Sequence, residues 1–473
     1  MLENTLLSNL DPLILARIQF AFTIAFHIMF PAFTIGLASW LVTLEAMWLK
    51  TGDKAYKETY LFWVRIFAVS FGMGVVSGLL MSYQFGTNWS EFAKRTGNVL
   101  GPLMGYEVLT AFFLESSFLG IMLFGWGRVS ARMHFVASLV VAVGTVISAF
   151  WILSVNSWMH TPSGFRIDEH GIFFPTNWVD VIFNPSFPYR FCHMLSAAYL
   201  TTAFVVAGVA SYYFIKKIHL KHARIMLGAA ILLISTFAPL QVMIGDLHGL
   251  NTLKHQPAKI AAMEGIWDDE KGAALNLFAI PSQLSQSNSY ALQIPYLSSI
   301  ILTHSLDGEI KGLKNWPADE RPPVLIVFFA FRIMVGIGFL MLFTGIVGAF
   351  LYFKGKLYDQ RWFHLWCRTI APCGFIAILF GWIVTEVGRQ PYVVYGLIRT
   401  SKAISPVSQA SIMFSLTLIV CVYFMVFSMG LYYIIKLIKK GPQLIDENTE
   451  TFGDHGVKDP VTVADAVEEV KSI

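Results

Sequence analysis

Charge is scarce in this chain. Asp, Glu, Lys and Arg make up 14% of its 473 residues, against 55% apolar types. That leaves too little polar surface to clothe the two or three soluble domains this length would otherwise allow. Cysteine is nearly absent. Cys192, Cys367, Cys373 and Cys421 are scattered and none forms a CxxC pair, which excludes a disulfide framework and a cysteine-held metal as organising features. Long basic runs are also lacking, and the net charge is only +4, so nothing supports nucleic-acid binding. No repeat of solenoid type occurs.

What the chain does have is apolar runs long enough to cross a bilayer. Nine are read, at about 16–49, 60–85, 101–127, 134–159, 189–217, 223–244, 324–353, 368–388 and 408–438. The first follows the polar "MLENTLLSNLDP" rather than a basic segment, and no small-residue cleavage site comes after it, so no removed signal peptide is expected. With the N-terminus outside and the C-terminus inside, inner loops hold more than twice as many Lys and Arg as the short outer loops. The expected architecture is an all-α membrane protein of about nine spans. Residues 1–440 would form one membrane domain, with a long outer loop at 245–323 between spans 6 and 7. The acid-rich residues 441–473 would form a disordered inner tail.

Several side chains are then out of place in lipid, and such residues are functional candidates by default. His27 lies in "AFTIAFHIMF", Glu107 and Glu115 in "EVLTAFFLESSF", and His193 opens span 5 in "RFCHMLSAAY". Arg332 and Met334 share "FFAFRIMVGIGF", and Glu386 closes span 8 in "GWIVTEVGRQP". At ~1.5 Å per residue all fall in the outer half of the bilayer. Histidine, methionine and carboxylate at one level point to a shared cofactor layer, and His and Met suit haem iron. Eight residues of ideal helix turn Glu115 about 80° from Glu107 and ~12 Å deeper, onto adjoining faces, so the pair is expected to act as two stations on a path and not as a dyad.

Seven stretches carry a further likeness: "RIQFAFTIAFH" (17–27), "QFGTNWSEFA" (84–93), "AFFLESSFLG" (111–120), "WILSVNSWM" (151–159), "QPAKIAAMEGIW" (256–267), "FAFRIM" (329–334) and "GWIVTEVGRQP" (381–391). In this order, over about residues 15–440, they resemble the large subunit (subunit I) of the cytochrome bd-type quinol oxidases. The resemblance implies that His193 and Met334 are the axial pair of a low-spin haem b, with Arg332 beside them. It implies that His27 and Glu386 ligate a high-spin haem b and a haem d, or a further haem b in its place. Glu107 and Glu115 would bring protons to the oxygen-reducing site, Glu107 also being able to contact an iron. Arg17 and Arg389 would serve the cofactors, Trp382 would bridge electrons, and Lys259 and Glu264 would bind quinol. His255 matches no role. The short segment between "GLKNW" and "FAFRIM", and Tyr392 where the family usually has Trp, resemble the short-loop, cyanide-insensitive members.

The function so implied is that of a respiratory electron-transport enzyme of the bacterial cytoplasmic (inner) membrane. It would oxidise quinol at the outer face and reduce dioxygen to water with inner protons, building a membrane potential without pumping. A second membrane subunit (subunit II), and a small single-helix subunit, would be its partners. Two other readings fit the residues alone: an ion-coupled transporter with intramembrane Glu and Arg on its path, and a haem b electron carrier without oxygen chemistry.

Overall fold

A computed structural model describes residues 11–444. The readings of the N-terminal polar stretch and of the tail from 445 lie outside the described residues. Among the described residues, nine helices are long and apolar enough to cross a membrane. Spans 1 to 9 run Pro12–Thr51, Lys54–Thr87, Ser90–Phe124, Ala131–His160, Phe187–Lys216, Leu220–His255, Val324–Phe353, Arg361–Val387 and Gln409–Lys440.

Local chemistry sets their ends and breaks. Asp11 and Asp53 cap spans 1 and 2 by accepting from Leu13 and Ala55 N–H, and the Ser130 and Ser408 hydroxyls do the same for spans 4 and 9. Span 1 is interrupted at Ile28, between Pro12–His27 and Met29–Thr51. Pro31 has no N–H for the His27 carbonyl one turn back, so the ladder opens at the histidine. Span 8 breaks likewise before Pro372, into Arg361–Thr369 and Cys373–Val387.

Two spans are longer than hydropathy indicates. Span 3 starts at Ser90, because the polar "SEFAKRTGNVLG" still forms helix. Span 6 continues to His255, so residues 245–255, read as the start of the loop, are helix.

Spans 1 to 4 pack as one bundle and spans 5 to 8 as a second, each around a ring of neighbours, while span 9 lies against spans 1 and 2. Span 5 joins the bundles, touching spans 1 and 4 as well as 6 and 8. The seam is close: a Cβ on Gly36 would stand 2.9 Å from the Ala198 carbonyl. One continuous apolar core runs through both bundles, from Leu37, Trp63 and Phe67 to Phe204, Met226 and Phe363.

The segment between spans 6 and 7 is folded. A short helix, Pro257–Glu264, is followed by a hairpin of Leu275–Ser282 with Ser287–Ile294 and a helix, Leu297–Thr303. Ile260, Ile266 and Trp267 pack it onto Val324, Val327 and Val384 at the ends of spans 7 and 8. This end of the molecule is called the loop side below.

Candidate functional site

In the second bundle, four groups stand at one level, six to ten residues (~9–15 Å) from the loop-side ends of their helices. His193 of span 5 faces span 6, where a Cβ on Gly245 would lie 3.4 Å from its Cε1. The His248 ring is 5.3 Å from that of His193. On the other two spans, Met334 points its sulfur at Gly381, whose added Cβ would sit 2.9 Å from Sδ. His193 Nδ1 is buried without a hydrogen-bond partner. Gly245 and Gly381 thus let an imidazole and a thioether lie close against the facing helices.

Just above, at the loop-side ends of spans 4, 5 and 8, lies a buried polar cluster. Glu386 Oε1 accepts from Asn156 Nδ2 at 2.9 Å and faces His160 Nε2 at 3.4 Å. Glu386 Oε2 forms an ion pair with Arg389. Arg190 donates to Asn156 Oδ1 (2.9 Å), and Lys259 donates to His160 Nδ1 (3.2 Å). Three buried basic side chains, Arg190, Lys259 and Arg389, therefore gather about one carboxylate. Burial, and then the charges of Arg190 and Arg389, hold Lys259 well below the usual lysine range. Arg389 Nε and Nη1 have no partner. Such an excess of buried positive charge calls for anions.

His27 stands at the break in span 1. The Ser77 hydroxyl lies 3.1 Å from His27 Nδ1 and within hydrogen-bond reach of the Met73 and Gly74 carbonyls (3.0 and 2.9 Å). With Nδ1–H donated to Ser77, Nε2 keeps the lone pair a metal ligand needs. Trp382 packs with Ile28 and Ala32 of span 1 and with Met194 and Ala197 of span 5. An indole thus lies between the neighbours of His27 and His193.

Glu107 and Glu115 differ from the ideal-helix expectation. Residues Ala111–Ser116 form a π-helical turn, which takes one residue more per turn and rotates Glu115 back toward the Glu107 face. Both then meet one stripe of span 4: Ser148 donates to Glu107 Oε1 at 3.0 Å, and Glu115 Cγ lies 3.1 Å from a Cβ built on Gly144. Ser148 and Gly144 are four residues apart, on one helix face. Gly144 is midway along Ala131–His160, so Glu115 lies at mid-height, deeper than the outer half expected for it. Glu115 Oε1 is buried without a partner.

The loop residues separate. Lys259 and Glu264 occupy different faces of the helix Pro257–Glu264, since five residues turn ~140°. Lys259 joins the Glu386 cluster. Glu264 Oε2 instead pairs with Arg332 Nη2 at 2.8 Å and accepts from Ser298 (3.3 Å). Arg332 Nε also donates to the Asn276 carbonyl at 2.6 Å, so this guanidinium is committed to the loop rather than to a group beside Met334. Arg17 is exposed on the flank of span 1. Sequence reasoning missed Asn156, His160, Arg190 and Gln256, which donates to the His160 carbonyl at 2.9 Å. The signal available was Asn156 and His160, four residues apart at the end of an apolar run.

These residues lie in a chain that the sequence profile described as "Cytochrome bd terminal oxidase subunit I" matches over residues 15–442. The chain belongs to that family. It is 34% identical over 446 residues to the cytochrome bd ubiquinol oxidase subunit 1 of Bacillus subtilis (strain 168), covering 92% of this chain and 95% of that protein. It is 30% identical over 510 residues to the cytochrome bd-II ubiquinol oxidase subunit 1 of Escherichia coli (strain K12), covering 93% and 99%. The fold matches the bd oxidase from Geobacillus thermodenitrificans with a TM-score of 0.84 at 29% identity, over 91% of this chain and 99% of that one.

Haem is the cofactor this family implies, and the donor set fits it. The second bundle presents an imidazole with an unpaired Nδ1 and a thioether, and a second imidazole stands at the break in span 1. Two unpaired guanidinium nitrogens of Arg389 would offer donors to haem carboxylates.

Proposed function

We propose that this bd-family subunit is the catalytic subunit of a quinol oxidase of the bacterial cytoplasmic membrane. It would work with the second membrane subunit typical of the family, and with a small single-helix subunit. The observation that carries the reading is the group of unsatisfied polar atoms toward the loop-side end of the second bundle: His193 Nδ1, Trp382 Nε1, and Arg389 Nε and Nη1.

His193 and Met334 would hold a low-spin haem b between spans 5 and 7. His27 and Glu386 would hold the high-spin pair, one haem b and one haem d or further haem b. The haems supply one-electron transfer and dioxygen reduction when bound. Arg389 and Arg190 neutralise carboxylates at the loop-side edge of the site. Glu386 is positioned by Asn156 and His160 and shares its charge with Arg389. Trp382 lies between the two histidine sites.

On the loop, Glu264 is the base for quinol protons. It is held by Arg332 and opens toward Ser298. Lys259 acts from the opposite face of the same helix, adjoining Glu386 through His160. Glu115 at mid-height and Glu107 above it, on one stripe of span 4, carry protons upward from the side opposite the loop. Turnover then moves charge across the membrane without a pump, at ~2.3 kcal/mol per charge per 100 mV.

The E. coli alignment is longer than this chain's 473 residues, so that relative has segments with no counterpart here. That supports the short-loop reading. The test is a reduced-minus-oxidised spectrum of the purified complex with carbon monoxide added. A low-spin signal together with a carbon-monoxide-reactive one is expected. Absence of haem would leave the transporter reading, and a low-spin signal alone the electron carrier.

A further inference from the structure

The hairpin Leu275–Ile294 has a composition unlike the rest of the loop. Its twenty residues include no Asp, Glu, Lys or Arg, while Asp268, Asp269, Glu270 and Lys271 precede it and Asp307, Glu309 and Lys311 follow. Register shifts between Asn276 and Phe278, and again between Phe278 and Ile280, break strict alternation. They turn Leu277, Phe278 and Ile280 outward together, 45%, 44% and 41% exposed, with Leu292 at 61% opposite Phe278. Asn276 and Ala279 point inward and are buried. An uncharged hairpin with an apolar outer face is poorly suited to water.

Its position relative to span 7 says what covers it. At the turn, Gln283 Oε1 accepts from the N–H of Val324, the first residue of that helix (3.3 Å). Further along, the Phe278 ring lies 5.8 Å from that of Phe329. At the strand's start, the Asn276 carbonyl accepts from Arg332. The strand thus descends beside the helix over eight helical residues, ~12 Å. A 30-residue helix overshoots a ~30 Å hydrocarbon core by about 7 Å at each end, so this stretch spans the headgroup region and its boundary with the acyl chains. The outer face continues the exposed flank of span 7 at Leu325, Ile326 and Ile333.

We propose that the hairpin is seated in the headgroup–acyl boundary of the loop-side leaflet, and that this seat admits lipid-dissolved quinol to Glu264 and Arg332. The second clause rests on the quinol reading above; the seating does not. The same strand that faces lipid also builds the site, because Asn276 Nδ2 donates to the Glu264 carbonyl at 2.8 Å and its own carbonyl holds Arg332.

A nitroxide on Leu292→Cys in the intact oxidase complex in nanodiscs tests the seat. It is read by difference from the same labelled complex without the substitution, because Cys192 and Cys421 are exposed. Its collisions with oxygen should exceed those with a nickel chelate several-fold. A label on Ser285→Cys, in the turn, should show the reverse. Nickel dominating at 292, or shielding from both reagents as a protein partner would give, overturns the seat.

For substrate entry, Phe278→Ser with Leu292→Ser should raise KM for a long-tailed quinol in nanodiscs about five-fold. The KM for a short-tailed, water-soluble quinol and the haem content should stay unchanged. Equal effects on both quinols, or on neither, would overturn the coupling of the seat to substrate entry.

Discussion

Replacing Gly381 by Ala tests the assignment of Met334 by a displacement of under an ångström. The added Cβ would stand 2.9 Å from Met334 Sδ and 3.7 Å from its Cγ, so only the sulfur is crowded. Ordinary contacts begin near 3.5 Å, which forces the sulfur back by about 0.6–1 Å. Methionine gives way cheaply, at about 0.5–1.5 kcal/mol for an off-rotamer torsion. The helix gains about 0.5–1 kcal/mol from exchanging Gly for Ala. Stability should therefore change by under about 1 kcal/mol, while an axial ligand moved this far loses its bond. The purified variant should keep its haem content by pigment extraction and unfold within a few degrees of the parent. Its low-spin signal should fall and a new carbon-monoxide-reactive haem b appear. Gly245→Ala is the internal control: its Cβ would meet His193 Cε1 at 3.4 Å, the edge of ordinary contact, and should leave the spectrum intact. An unchanged low-spin signal in Gly381→Ala, with stability also unchanged, would show that Met334 is core packing.

Glu115→Leu should slow dioxygen reduction at least ten-fold in flow-flash kinetics while quinol still reduces the low-spin haem at the parent rate; an unaltered oxidase rate returns Glu115 to a packing role. Glu264→Gln should lower quinol oxidation more than ten-fold, whereas dithionite, which bypasses the quinol site, should still reduce every haem. Lys259 is held below its ordinary value of 10.5, so the folded chain binds fewer protons there than the unfolded chain, and stability rises with pH through that window. Lys259→Met removes this dependence: the variant should be more stable than the parent at pH 7, with the gain shrinking as pH approaches 10.5, read from thermal unfolding of the complex.

Span number and order were legible because hydropathy over twenty residues is a large signal that no tertiary contact overrides. Span ends were less so. "SEFAKRTGNVLG" and "LHGLNTLKH" are polar, yet they continue spans 3 and 6 as helix. Hydropathy reports burial in lipid, whereas helix length also depends on propensity and on what packs beyond the bilayer. His27, His193 and Glu386 stood out as candidates from the cost of burying them in lipid. Their surroundings did not. The partner of Lys259 is His160, 99 residues away in sequence, and Glu264 reaches Arg332, 68 residues away. The spacing of Lys259 and Glu264 by five suggested one pocket, and helical rotation instead placed them on opposite sides of a short helix. The π-turn at Ala111–Ser116 was invisible because nothing in "AFFLES" distinguishes it from α-helix, yet it decides that both glutamates meet span 4 together.

Depth alone does not separate function from structure, and the far half of the molecule shows why. Glu45 is fully buried there, as costly in isolation as Glu386. His134 Nδ1 meets Glu45 Oε1 at 2.6 Å, Ser138 donates to Oε2 at 2.7 Å, Tyr60 OH meets Ser138 at 2.9 Å, and His134 Nε2 reaches the Met122 carbonyl at 3.2 Å. Every polar atom of that network has a partner within the chain, so the fold itself accounts for it: it ties spans 1 to 4 together. The loop-side groups do not close in this way. Arg389 keeps two nitrogens unpaired beside a carboxylate it already binds, and Arg190 and Arg389 share that one anion. A membrane protein tolerates such an imbalance only where something outside the chain completes it. The same criterion ranks Glu115, whose Oε1 is orphaned, above Glu45 as a proton carrier, although both are buried carboxylates in the same bundle. What marks the site is therefore unpaired charge, Arg389 Nε and Nη1 beside a single carboxylate, and an apolar pocket there would carry no such demand.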